Sequence, residues 1–149
     1  MKFYTSYFSQ LRHFKPYQIP FSTAMWNPQF FQTEHVDKNG VMIGLRALPF
    51  VPGPLSKNDC HGPEKCYSQP QTCIFLRHYR QQLDKLKFDK IIEKFEDFAA
   101  DIQKELGFVE EPEIVLLVYE APNNQCSERR VIQEWFKDHG VQCEELSFN

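Results

Sequence analysis

The sequence predicts an α/β domain with a mainly parallel central sheet and a long irregular loop that carries cysteines. Three observations lead there. Residues 113–119 (EIVLLVY) are a nearly continuous apolar run, the pattern of a strand buried on both faces. Strand-like and helix-like segments alternate, and the chain closes on a strand–loop–helix–strand unit. Its 149 residues suit one domain, and a domain of that size hides roughly 70% of its unfolded surface, enough for a core without disulfide staples.

Each element has a local reason. Residues 2–8 (KFYTSYF) are aromatic and β-branched and read as a first strand. Residues 18–24 (QIPFSTA) read as a second, stopped by Trp26-Asn27-Pro28. Asn39-Gly40 marks a turn, after which residues 41–48 are a strand or an extended segment. Eight of the ten prolines fall between Pro16 and Pro70, so the front should be extended and loop-rich. Residues 49–73 form an irregular Cys-bearing excursion, and loops of that length inside a domain are usually functional or fastened by something other than packing. Leu76, Tyr79, Leu83 and Leu86 recur at helical spacing over residues 73–87. A wider stripe through Phe88, Ile91, Phe95, Phe98, Ile102 and Leu106 predicts a second helix, with Gly107 beyond its end. Strand 113–119 follows, then a loop at Pro122-Asn123-Asn124. Ser127 is a suitable N-cap for a helix carrying Val131, Ile132, Trp135 and Phe136 and ended by Gly140. Residues 141–146 (VQCEEL) read as the last strand.

Composition narrows the function classes. The chain is 42% hydrophobic and 25% charged, which is ordinary globular usage and not that of a disordered tail. No apolar run approaches the ~20 residues that cross a bilayer, so no membrane role is expected. The opening residues lack an apolar stretch with a small-residue cleavage site, so no export signal is expected either. With five cysteines, an odd number, the expected setting is a reducing cytoplasm, where thiols serve as ligands or nucleophiles rather than in disulfides. The net charge of −3 demands no polyanionic partner. Residues 1–75 nevertheless hold 7 basic and 4 acidic side chains, against 10 and 16 in the remainder, which permits a local anion site in the front half.

Four groupings carry candidate chemistry. Ligands of open parallel sheets bind beyond the carboxyl ends of the strands, where Tyr119-Glu120 and Thr5-Ser6-Tyr7 fall. Cys126 and Arg129 open the following helix, whose unpaired N–H groups favour an anion or a thiolate. This places Glu120, Cys126 and Arg129 as a candidate catalytic trio, with Thr5, Ser6, Tyr7 and Arg130 as binding residues. The competing reading is a buried structural cysteine, a solvated arginine pair and a glutamate satisfied by backbone amides. A cysteine-phosphatase loop is excluded, because the sixth position after Cys126 is Ile132.

The second grouping is Cys60, His61, Cys66 and Cys73, with His78 in the next helix. Three cysteines in fourteen residues suit a soft cation, zinc first and an iron–sulfur cluster as the alternative. Their C-x5-C-x6-C spacing is looser than that of zinc knuckles, and three ordinary thiols are the plain alternative. Third, Phe14, Tyr17, Trp26, Phe30, Phe31 and Phe50 are interleaved with Arg12, Lys15, Lys38 and Arg46. That pattern stacks bases in nucleic-acid binders but more often fills a core built from irregular segments. Fourth, the acid-to-base spacings of three and four over residues 87–105 mark a solvated helix face. Glycine-rich phosphate loops, dinucleotide fingerprints, zincin motifs and nucleophile elbows are all absent.

Leu116-Leu117-Val118-Tyr119-Glu120, with Cys126 six residues on and then Arg129, resembles domain-of-unknown-function family 488, the YeaO-like proteins. Members carry a strand ending in Cys/Tyr-Glu, a short Pro-containing loop and Cys-His-Arg opening a helix. Tyr4-Thr5-Ser6-Tyr7-Phe8 resembles that family's first strand. Ser127 stands where the family has His, Arg129 falls three rather than two residues after Cys126, and the insert from Cys60 to Cys73 is not part of the pattern. The resemblance implies a Rossmann-like three-layer fold with a polar cleft at the strand ends, and no particular reaction. The expected function is binding of an anionic small molecule, a nucleotide or nucleic-acid component, in that cleft. The alternative is a nucleic-acid or protein interaction module folded by metal.

Overall fold

The apolar run becomes the strand that the rest of the domain covers. The structure, a computed structural model, describes residues 1–53, 73–124 and 127–148. Strand β1 (Lys2–Tyr7), β2 (Gln18–Ser22), β5 (Glu113–Val118) and β6 (Cys143–Glu145) form one sheet in the order β2-β5-β1-β6, all parallel. Ile114 to Val118 have no exposed surface. They are flanked by strands on both sides and packed on both faces, as a continuous hydrophobic run requires. The second sheet is a short antiparallel pair, β3 (His35–Val36) with β4 (Met42–Ile43). The predicted turn lies between them: Gly40 has φ +82° and donates its N–H to the Asp37 carbonyl at 3.0 Å.

The connections follow one handedness rule. A parallel crossover is right-handed in nearly every protein, so connections moving in opposite directions across a sheet must lie on opposite faces. From β1 the chain steps over β5 to reach β2; from β2 and from β5 it moves back the other way. Helices α1 (Ile74–Asp84), α2 (Phe88–Leu106) and α3 (Arg129–Asp138) accordingly pack on one face, against Phe3, Ile19, Phe21, Ile114 and Leu116. The 3-10 helix over Phe8–His13 in the β1–β2 connection covers the other face, against Val115 and Leu117, and the first part of the β2–β5 connection, around Phe31, Val41 and Ile43, packs on that face as well before the chain crosses to the helices. The result is three layers, with the α-helices of the described residues in one of them.

Element ends deviate from the sequence reading for local reasons. The second strand stops at Ser22, whose N–H bonds the Leu45 carbonyl while its carbonyl accepts from Ala47, both at 2.9 Å. Residues 45–47 thus run beside the end of β2, and only Met42–Ile43 of the expected 41–48 segment forms a strand. Pro20 sits two residues before Ser22 on this edge strand, so its missing N–H also points away from β5 and removes no ladder bond. Gly44 (φ +95°) approaches so closely that a Cβ would lie 2.6 Å from the Thr33 carbonyl carbon, which restricts the position to glycine. Gly107 ends α2 in the left-handed conformation, as the stripe predicted. Of the irregular excursion, residues 54–72 lie outside the described part.

Candidate functional site

Strands β1 and β5 are neighbours, with Tyr7 opposite Val118, and their chains leave toward opposite faces. This is the topological switch point of the sheet, the place where open α/β sheets leave a crevice. Alternation along β1 sends Thr5 and Tyr7 to the helix face and Ser6 to the other. Thr5 and Ser6 are fully buried, and the Ser6 hydroxyl has no hydrogen-bond partner among the described residues.

Arg129, the first residue of α3, is only 5% exposed. Its Nε donates to Glu145 Oε1 at 2.6 Å and its Nη2 to the Glu120 backbone carbonyl at 2.7 Å. Its guanidinium carbon lies 5.6 Å from the centre of the Tyr7 ring. Glu145 Oε1 also accepts from the Thr5 hydroxyl at 2.8 Å, and that hydroxyl accepts from Gln133 Nε2 at 2.7 Å. One polar chain therefore runs from α3 through β1 and β6 and back to the end of β5. It fixes the guanidinium, yet Arg129 Nη1 and Glu145 Oε2 have no partner among the described residues. The N-cap position falls on Glu128, one residue later than expected and without a side-chain cap bond, while Ser127 Oγ accepts from the Arg129 N–H at 3.2 Å.

The sequence reading brought Thr5, Tyr7, Glu120 and Arg129 together, and the structure places them at one strand end. Glu120 joins through its carbonyl; its side chain is half-buried and close enough to Glu128 to act on it electrostatically. Cys126 lies outside the described residues, and Arg130 is half-buried beside Arg129 on α3. Missed altogether were Glu128, Glu145, Gln133 and Thr23. Glu145 had a signal: it falls in phase with Cys143, the inward residue of its strand, and an acid in that register must find a buried partner.

Glu128 is the unusual titrating group. It is 7% exposed, with Thr23 Oγ1 3.4 Å from its Oε1. Burial, followed by the Glu120 carboxylate, raises its pKa from 4.5 to about 7, against the lowering pull of its own backbone N–H, Thr23 and Arg129. Burial also raises Glu145, opposed by Arg129 and Thr5. A buried carboxyl whose pKa is raised to about 7 has the character that general acid–base chemistry uses. It also has a cost. The folded state binds a proton that the unfolded chain releases above pH ~4.5, so stability falls as pH rises from there to about 7 and is level beyond. Glu128→Gln should therefore melt higher than the natural chain at pH 8, by about 2–3 kcal/mol of stability, and match it near pH 4. Parallel melting curves for the two proteins across that range would refute the assignment.

Compared with protein-family models, curated proteins and solved structures, the chain matches none. The site is therefore read from its own residues. Of the proposed metal ligands, Cys60, His61 and Cys66 lie outside the described part. Cys73 immediately precedes α1, makes no side-chain cap bond and is 1% exposed in the helix-side core. Among the described residues no three His, Cys, Asp or Glu side chains gather in a metal-holding group. No helix among them is long and apolar enough to cross a membrane. The interleaved aromatics divide: Phe14, Phe31 and Phe50 are buried, whereas Trp26 and Phe30 are exposed. Arg46, counted with them as a cation, donates Nη2 to the Ala24 and Met25 carbonyls at 3.0 and 3.2 Å.

Proposed function

We propose that the chain binds an anionic small molecule, a nucleotide or a nucleic-acid component, where β1 and β5 end, the place at which the resemblance to family 488 implies a polar cleft. The observation that carries this reading is Arg129. A guanidinium held at a switch point by Glu145 and the Glu120 carbonyl, with a buried Nη1 that has no partner among the described residues, favours an oxyanion that reaches that nitrogen. Arg130 and the N–H groups that open α3 add to the same preference. Glu145 offsets the charge of Arg129, so Glu128 decides the balance: protonated it leaves the crevice receptive, ionised it opposes the ligand.

Two outcomes follow. A nucleotide at about 100 times its dissociation constant should add about 2.7 kcal/mol of stability, which is a rise of roughly 5–10 °C in melting temperature. Affinity should weaken as pH rises through about 7, because Glu128 loses its proton there, and by at most about tenfold per pH unit for one proton. Differential scanning fluorimetry with mono-, di- and trinucleotides at pH 6 and 8 reads both. A panel that leaves the melting temperature unmoved at millimolar ligand rejects the function, and equal shifts at the two pH values reject the role of Glu128.

A further inference from the structure

The opposite end of the sheet carries a second grouping that the crevice does not use. The 3-10 helix after β1 ends in Arg12 and His13, and Lys15 follows before β2 begins. These three side chains line a cavity of about 550 Å³ together with Tyr17, Asn39 and Phe148. Among the described residues no Asp or Glu lines it. Among the described residues no carboxylate pairs with Arg12 or Lys15, although the chain as a whole is acidic. Two acids lie one hydrogen bond from lining residues, and both are occupied: Glu113 accepts from Gln18 Nε2 at 3.1 Å, and Asp37 Oδ1 accepts from the Asn39 and Val41 N–H groups at 2.8 and 3.0 Å; the Gln18 side chain also accepts from the Lys15 N–H at 2.9 Å.

Arg12, His13 and Lys15 are exposed, and hydrogen bonds tie down the backbone that carries them. Asn39 Nδ2 donates to the Arg12 carbonyl at 3.1 Å, and Arg12 Nε donates to His13 Nε2 at 3.1 Å. The Phe148 ring lies 5.5 Å from the His13 ring and 5.7 Å from that of Phe14, closing one wall. Arg12 and Lys15 are two like charges within four residues, and neither has an ion-pair partner among the described residues. A concave site with cationic walls and no acid concentrates anions, and an oxyanion replaces the missing counter-charge with charge-assisted hydrogen bonds.

We infer that this cavity is a separate binding site for a small, multiply charged oxyanion of the phosphate or diphosphate class. Arg12 and Lys15 supply the charge, and Asn39 and Phe148 shape the walls.

Inorganic pyrophosphate titrated into the full chain, followed by calorimetry and by amide NMR shifts, tests this. The expected result is saturable binding whose shifts centre on residues 12–18, Asn39 and Phe148. The double variant Arg12→Gln/Lys15→Gln should weaken it about tenfold or more, as should raising salt from about 50 to about 200 mM. Lys90→Gln/Lys94→Gln removes the same net charge from the exposed face of α2 and should change affinity less than about twofold. The inference falls if pyrophosphate does not bind at millimolar concentration, or if both double variants lose affinity equally. It also falls if the shifts centre on residues 5–7 and 127–130, a result that would instead favour the crevice.

Discussion

Replacing Arg129 with methionine is expected to destabilise the fold by about 3 kcal/mol at pH 7, because it strands Glu145. The carboxylate loses the 2.6 Å bond from Nε and keeps only the Thr5 hydroxyl, with its side chain 25% exposed. That residual exposure places the loss at the lower end of what breaking a buried ion pair costs. Removing both charges together, as Arg129→Met/Glu145→Leu, should recover most of it, since a buried pair is often no better than well-packed apolar residues of similar size. Acidification separates the two variants further. Burial already raises the Glu145 pKa against the opposing pull of Arg129, so without the arginine the carboxyl takes up a proton more readily. The deficit of the single variant should then shrink as pH falls, while the double variant responds less. Urea unfolding at pH 5 and pH 7 measures both effects. A single variant within about 1 kcal/mol of the natural chain at pH 7 would show that water or a neighbouring group already satisfies Glu145.

That network marks the boundary of what the sequence discloses. Strand β5 was legible because five consecutive apolar residues admit only a position covered on both faces. Gly107 was legible as a helix end because a left-handed C-terminal residue selects glycine. The asymmetry of the layers was not: Phe8, Phe14 and Phe31 are buried on the face opposite the helices by segments with no regular period, and irregular packing leaves no repeat to read. At the crevice, spacing along single segments located Thr5, Tyr7, Glu120 and Arg129. It could not locate Glu145 and Gln133, whose roles depend on pairing across elements far apart in sequence, such as Thr5 with Glu145. The hydrogen bond from Arg129 to the Glu120 carbonyl rather than its carboxylate is likewise a fact of backbone geometry, and residue types are silent on it. The cationic cavity lay between these cases, since Arg12 and Lys15 were noted beside the aromatics and only the fold brings Phe148 to them.

Trp135→Ala should be the most damaging apolar substitution, at about 4 kcal/mol. The indole is fully buried on the inner face of α3, with ring centres 5.1 Å from Phe88, 5.0 Å from His139 and 5.7 Å from Phe50. It therefore ties α3 both to the start of α2 and to the 3-10 turn at Leu48–Phe50. Truncation leaves a cavity that three elements would have to move together to fill, and close-packed interiors relax only in part. Trp135→Phe should cost far less, about 1 kcal/mol. Its smaller ring keeps most of the edge-to-face contacts. It also removes an Nε1–H that has no hydrogen-bond partner among the described residues, and an unmet buried donor costs about 1–3 kcal/mol by itself. The two losses thus work in opposite directions in the phenylalanine variant and in the same scaffold. Equilibrium urea unfolding of the three proteins decides the matter. If phenylalanine proves as costly as alanine, the indole N–H is satisfied after all, and Trp135 holds α3 in place by a polar bond as well as by shape.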